Sequence, residues 1–175
     1  MSTIVLDDDR TDQQLLLDLL NTTPVTDGVR SDELADRDSA RAWLEARGGR
    51  GSAKELARVR ETRALLQSLV RGQKSPASLA PYLGGIGYRP TVTDDGLSWS
   101  LDVAADAKLA TRAVLAWGSL RSHAPGRLRP CANDECALFL IDRSKANNAR
   151  WCSMAVCGNR MKARRHYQRQ RETQQ

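Results

Sequence analysis

The first 130 residues of this chain contain no cysteine; Cys131, Cys136, Cys152 and Cys157 all fall in the last third. Thiols scattered through a core would not segregate in this way. Aromatic residues are scarce, 5% of the chain with a single Phe, so the core must rest on leucine and other aliphatic side chains. No apolar run approaches the roughly 20 residues of a membrane span. The opening "MSTIVLDDDR" has neither the basic start nor the apolar stretch of an export signal, so the expectation is a cytoplasmic protein with no membrane partner. Histidine is nearly absent: His123 is the only one before the C-terminal segment. No phosphate-binding loop and no nucleophile–base arrangement occurs. The acids at 7–9 precede a helix, where negative charge suits the dipole, and Asp94-Asp95 sits in a turn. An enzyme needs convergent groups, and none is expected here.

Acidic residues are sparse at one end. Residues 121–175 hold 12 Lys/Arg against 4 Asp/Glu, whereas residues 1–120 hold 15 against 17. The net charge of +6 therefore lies entirely in the last third, which points to a polyanionic partner at that end.

The remaining patterns predict a mostly helical α+β domain. "TDQQLLLDLLNT" carries Leu15, Leu16, Leu19 and Leu20 on one helical stripe, with Thr11 or Asp12 as cap. "SDELADRDSARAWLEARGG" reads as helix, in one or two pieces, turning Trp43 and Leu44 inward and stopping at Gly48-Gly49. "SAKE" at 52–55 has capping-box form ahead of a helix carrying Leu56, Val59, Leu65, Leu66, Leu69 and Val70. "SPASLAPYLGG" suggests a short helix capped by Ser75 with Pro76 at its first position. The period then changes to two. Leu97, Trp99, Leu101 and Val103 alternate with polar residues, and Asp95-Gly96 marks a turn. A hairpin of 88–93 with 97–103, one face buried, is expected. "DAKLATRAVLAWGSLRSH" returns to helical spacing, and Pro125-Gly126 ends it. The domains are expected at 1–122 and 129–172, joined by a linker at 123–128. Trp43, Trp99 and Trp117 are read as core.

The cysteines are spaced C-x4-C-x15-C-x4-C. Two short pairs with such a gap suit a tetrahedral four-thiolate zinc site. An iron–sulfur cluster uses the same ligands and stays open; two disulfides would suit an exported chain. The reading taken is one structural Zn²⁺ with no position left for catalytic water. Between the pairs, "ALFLID" (137–142) could run out as a strand and "ARW" (149–151) could run back. Ser153 could cap the last helix. Residues five apart diverge by about 140° on a regular helix, so Cys152 should lie just outside it and Cys157 in its first turns.

These residues resemble a known family. "RPCANDECALFLIDRSKANNARWCSMAVCGNRMKARRHYQRQR" is similar to the CGNR zinc finger, through Cys157-Gly158-Asn159-Arg160, Trp151-Cys152 and Asp142-Arg143-Ser144. "LLDLLNT" (16–22) resembles the start of the ABATE domain that precedes this finger. Such proteins are regarded as stress-induced bacterial transcription regulators. The resemblance implies an N-terminal domain that senses a small-molecule effector or partner, and a C-terminal DNA-binding finger whose metal ligands are the four cysteines. Asn21 and Thr22 could contact the effector or cap the first helix, and capping is the favoured reading.

The basic segment agrees with that plan. Arg160, Arg164, Tyr167 and Arg171 share one helical stripe, and Lys162, His166 and Arg169 another, with Arg165 beside them. The candidate nucleic-acid contacts are Arg143, Lys145, Arg150, Arg160, Lys162, Arg164, Arg165 and Arg169. Arginine and lysine neutralise phosphates, and arginine also reads guanine edges. Trp151 and Tyr167 are expected to pack against the finger. RNA binding and a zinc-stapled protein adaptor are the competing readings. A homodimer would match a two-fold operator.

Overall fold

The computed structural model describes residues 9–26 and 28–173. Asp7 and Asp8 of the acidic run lie outside the described residues. Helix α1 spans Asp9–Leu20, starting upstream of Thr11 and Asp12, so neither is its cap. Asp12 instead pairs with Arg112 at 2.6 Å. A two-residue ladder, β1 (Val25–Thr26) with β2 (Val29–Arg30), follows. Helix α2 covers Arg37–Glu45, with Asp36 accepting from the Ser39 N–H; the residues before it form turns rather than a second helical piece.

Helix α3 covers Ala53–Val70 and is capped by Ser52, whose hydroxyl accepts from the Glu55 N–H. The Glu55 carboxylate reaches further back than a capping box requires. Its Oε2 accepts from the N–H groups of Arg50 (2.7 Å) and Gly51 (2.9 Å), which offsets part of the cost of burying the carboxylate, while Oε1 has no hydrogen-bond partner among the described residues. A 3₁₀ turn at Pro76–Leu79, capped by Ser75, leads into the one-turn helix α4 (Ala80–Leu83). After the β3–β4 ribbon described below, helix α5 spans Lys108–His123.

The core is built from Leu15, Leu16, Leu19 and Leu20 of α1, the apolar faces of α2 and α3, and Leu109, Ala113, Val114, Trp117 and Leu120 of α5. Helix α1 packs against α5, and α3 against both. Trp43 packs at the edge of this core rather than within it.

Strands β3 (Gly87–Thr93) and β4 (Gly96–Asp102) pair antiparallel, Thr93 opposite Gly96, so Asp94-Asp95 form the two-residue turn. The turn is one residue earlier than expected, with Gly96 at φ +121° closing it. The register stacks Tyr88/Leu101, Pro90/Trp99 and Val92/Leu97 on one face. That face is not buried as alternation suggested: Val92 is 84% and Leu97 67% exposed. Cover increases away from the turn, where Tyr88, Trp99 and Leu101 are half-buried.

Strands β5 (Leu128–Pro130) and β6 (Phe139–Ile141) pair antiparallel. Strand β6 was expected to pair with 149–151. It pairs instead with the segment before Cys131, because the loop 131–138 closes tightly through the Cys131 N–H on the Leu138 carbonyl at 2.8 Å. Strand propensity in "ALFLID" fixes that a strand forms, not its partner. Phe139 is 1% exposed and belongs to the same core as α1 and α3. Its N–H donates to Asn21 Oδ1 (2.8 Å) and its carbonyl accepts from Asn21 Nδ2 (3.2 Å).

Helix α3 adds a polar stripe at four-residue spacing. Arg63 grips both Asp32 oxygens (2.6 and 2.7 Å) and Thr22 Oγ1 (2.8 Å). Gln67 donates to the Leu20 carbonyl and Thr23. Arg71 donates to the Ala137 carbonyl and lies 4.4 Å over the Phe139 ring. The C-terminal hairpin is thus packed onto the helical region.

Two outcomes follow. Asn21→Ala leaves both polar groups of a buried backbone unit without these partners and should cost about 1–3 kcal/mol in urea unfolding. The hydrogen bonds from Arg63 hold the Asp32 carboxyl below its ordinary value. A depressed carboxylate stabilises the fold above its unfolded pKa and loses that contribution as pH falls through the folded one. Asp32→Asn should therefore lower the melting temperature at neutral pH and narrow the difference from wild type as pH falls below about 4.

Candidate metal centre and the helix it carries

The four cysteine sulfurs lie within 4.8 Å of one another. Cys131 and Cys136 flank the closed loop after β5; Cys152 and Cys157 flank the turn that opens the last helix. Ser153 accepts from the Val156 N–H, and the Gly158 N–H reaches the Ser153 carbonyl at 3.0 Å. This widened turn, Met154–Gly158, brings together two sulfurs that a regular helix would separate. Cys152 sits outside it, as expected, and Cys157 inside.

The spacing of the sulfurs tests what they can hold. Cys152 Sγ is 3.7 Å from both Cys136 Sγ and Cys157 Sγ. A disulfide needs about 2.0 Å. Thiolates 2.3 Å from a central zinc form a tetrahedron with edges of about 3.8 Å. An iron–sulfur cluster would place several iron and sulfide atoms between the thiolates and hold them wider apart. The set fits one tetrahedral ion.

Electrostatics agrees. Burial pushes the Cys136 thiol up to about 11. Burial, and the sulfurs of Cys131 and Cys136, raise Cys152 further. Burial opposes ionisation of Cys157 too, but the hydrogen bond from Asn133 and those from neighbouring thiols outweigh it and lower its pKa. Four sulfurs this close do not all ionise without a cation between them.

Other groups around the site escaped the sequence reading. Asn133 is 1% exposed; its Nδ2 donates to Cys157 Sγ at 3.5 Å and its Oδ1 accepts from the Glu135 N–H at 3.4 Å. The Cys152 N–H points at Cys131 Sγ at 3.5 Å. Such outer bonds orient thiolates and spread their charge. Only the buried position of Asn133, invisible in "CANDEC", reveals it. The backbone of Gly158 is also constrained: an added Cβ would meet Met154 Sδ at 2.7 Å and Trp151 Cδ1 at 3.3 Å.

Asp142 staples the loop between the two cysteine pairs. It is buried, accepts from the N–H groups of Ser144 (2.8 Å) and Ala149 (2.7 Å), and pairs with Arg129 at 2.9 Å. The Ser144 bonds, foremost, hold its pKa low. Arg129 also bonds Asn147, the one non-glycine residue at positive φ among the described residues, at +48°. Asparagine tolerates that conformation.

Two family models match. One, the CGNR zinc finger, covers residues 127–170; the other, ABATE, described as "Putative stress-induced transcription regulator", covers residues 13–140. The chain belongs to the ABATE family. It carries a CGNR zinc finger, and the four cysteines are consistent with one structural Zn²⁺. No similar sequence is found among curated proteins. The ABATE match extends through Phe139, the residue the bundle buries.

In this ABATE protein the finger ends in helix α6, Asn159–Thr173. Arg160, Lys162, Arg165 and Arg169 are exposed on it, and Lys145 and Arg150 are exposed on the loop before it. Lys162, Arg165 and Arg169 border one shallow groove. Arg164 is half-buried and pairs with Glu135 of the metal loop. Tyr167 is 64% exposed, so it does not pack on the finger as expected; Trp151 is half-buried under Arg150. Arg143 stands apart from this group, beside α1 and α5. Asn21 and Thr22 spend their polar atoms inside the fold, on Phe139, the Leu19 carbonyl and Arg63.

Purified protein should carry one zinc per chain by elemental analysis, and Cys157→Ser should lose it. Asn133→Ala keeps all four thiols but should weaken zinc retention roughly 10–100-fold in chelator competition.

Proposed function

We propose that this transcription regulator binds duplex DNA through α6, with the zinc-bound turn as its rigid base and the helical region as the part that receives the signal. The observation that carries this is the exposed cationic face at the end of a metal-clamped turn. Lys162, Arg165 and Arg169 share a groove, with Arg160 nearer the base. At 15 residues the helix is about 22 Å long, enough to lie across a major groove about 12 Å wide. Lys145 and Arg150, on the adjoining loop, suit flanking phosphates. No enzymatic chemistry is part of this reading: a four-thiolate ion has no open position. No described helix is long and apolar enough to cross a membrane, and retained thiols suit a reducing cytoplasm.

Fluorescence anisotropy against random duplex, single-stranded DNA and RNA tests the proposal. The protein should prefer duplex DNA. Replacing Lys162, Arg165 and Arg169 together by Gln should weaken binding and reduce the slope of log affinity against log salt by about 2–3. A preference for RNA or single strands would overturn the duplex reading, and an unchanged slope would remove α6 from the interface.

A further inference from the structure

A second cationic feature lies away from α6. Between α1, the turn after α2, α5 and the loop after β6 is an open cleft of about 640 Å³. Four arginines line it: Arg10, Arg47, Arg112 and Arg143. They come from four separate stretches of chain, so their convergence is a property of the tertiary fold. Two are already neutralised. Arg47 pairs with Asp18 at 2.9 Å, and Arg112 with Asp12 at 2.6 Å. Arg10 and Arg143 have no acidic partner among the described residues. Among the described residues the cleft therefore carries an excess of two positive charges.

Arg143 is held where it stands. The carbonyls on either side of it, those of Asp142 and Ser144, both accept from Arg127 Nη1, at 2.8 and 2.7 Å. The Asp142 carboxylate closes the same turn through the Ser144 and Ala149 N–H groups. A backbone so fixed presents its side chain at low entropic cost. Guanidinium groups brought together repel unless an anion intervenes, and their planar forks match carboxylate and phosphate oxygens two at a time. The cleft volume falls in the range of small-molecule sites, and Leu15 adds an apolar wall.

We infer that this cleft binds a small organic dianion, a dicarboxylate or phosphate monoester, with Arg10 and Arg143 as its principal partners. Arg47 and Arg112, held in place by Asp18 and Asp12, border the same site. Arg143 belongs to the finger and Arg10 to the helical region, so the ligand bridges the two parts of the chain. It places Arg143 on a metabolite rather than on nucleic acid.

Titration calorimetry of the zinc-loaded full chain with succinate, glycerol 3-phosphate and inorganic phosphate tests this without DNA, so its outcome is independent of whether α6 binds a polymer. One organic dianion should bind more tightly than inorganic phosphate, by about tenfold or more. Arg143→Gln and Arg10→Gln should each weaken it by about tenfold with zinc content and melting temperature unchanged; both side chains are exposed, so the fold survives their loss. The inference is overturned if no dianion binds at about 10 mM, if both variants bind as wild type does, or if inorganic phosphate binds as well as the organic dianions. It is equally overturned if either variant weakens duplex DNA binding in dianion-free buffer as strongly as the α6 substitutions do, since the cleft would then be a backbone contact.

Discussion

Four sulfurs held within 4.8 Å are the constraint on which the C-terminal third depends. The residues around them supply little core of their own: Phe139 and Leu140 are the only large apolar side chains fully buried there among the described residues. A segment this short cannot bury enough surface to hold a shape unaided. One ion joining two loops that are distant in sequence replaces that missing core. The same ion determines where α6 begins, because Cys157 lies inside the turn that starts the helix. A basic peptide with mean charge like that of α6 would otherwise repel itself along its length; anchored at its root, it holds a defined direction.

The second structural theme is the joint between the finger and the helical region. It is a shared core, not a tether. Asn21 completes the backbone bonding of Phe139, Arg71 caps the same ring and holds the Ala137 carbonyl, and the ABATE match runs through these residues. Arg71 pays for its position with partial desolvation, which lowers its pKa, and Arg30 nearby adds to the effect. Two parts joined by such contacts transmit strain, because packed interiors have discrete arrangements and low compressibility. Through Arg71, at the end of α3, the bundle is in direct contact with the loop that carries Cys136.

Much of this was legible in the chain itself, and the pattern of what was not is instructive. Helical stripes, the Ser52 and Ser75 caps and the convergence of the cysteines follow from local periodicity and ligand chemistry. Roles that depend on tertiary approach did not. Asn21 was readable as a cap or a ligand contact, and is a backbone clamp, because its partner is 118 residues away. Arg63, Gln67 and Arg71 look like the polar face of an amphipathic helix, yet they face the α1–β1 connection and the finger. The β3–β4 ribbon shows the converse: alternation announces a face that wants burial, and the fold leaves Val92 and Leu97 exposed and Tyr88, Trp99 and Leu101 half-buried. Strand β6 was visible and its partner was not, since a three-residue strand carries too little pattern to choose between neighbours.

The position of Arg164 and Arg143 gives the arrangement a direction. Glu135, in the loop between the first two cysteines, pairs with Arg164 one turn into α6, and that pairing lowers the glutamate's pKa. Both side chains reach solvent, Arg164 41% and Glu135 55% exposed, so the pair contributes little to stability; its effect is on the angle at which the helix leaves the metal. Arg143 lies on the other loop, between the second and third cysteines, and that loop returns through Arg150 and Trp151 to Cys152. The ion thus receives one loop that faces the bundle and one helix that faces away. Arg143's loop is tied to the metal along the chain, through Cys152, and also across to the first metal loop, where the Ala132 N–H donates to the Arg150 carbonyl at 2.8 Å. Geometry at the tetrahedron is stiff, while the Glu135–Arg164 contact is soft. The direction of α6 is therefore set mainly at Cys157, with the exposed ion pair as a weaker second hold.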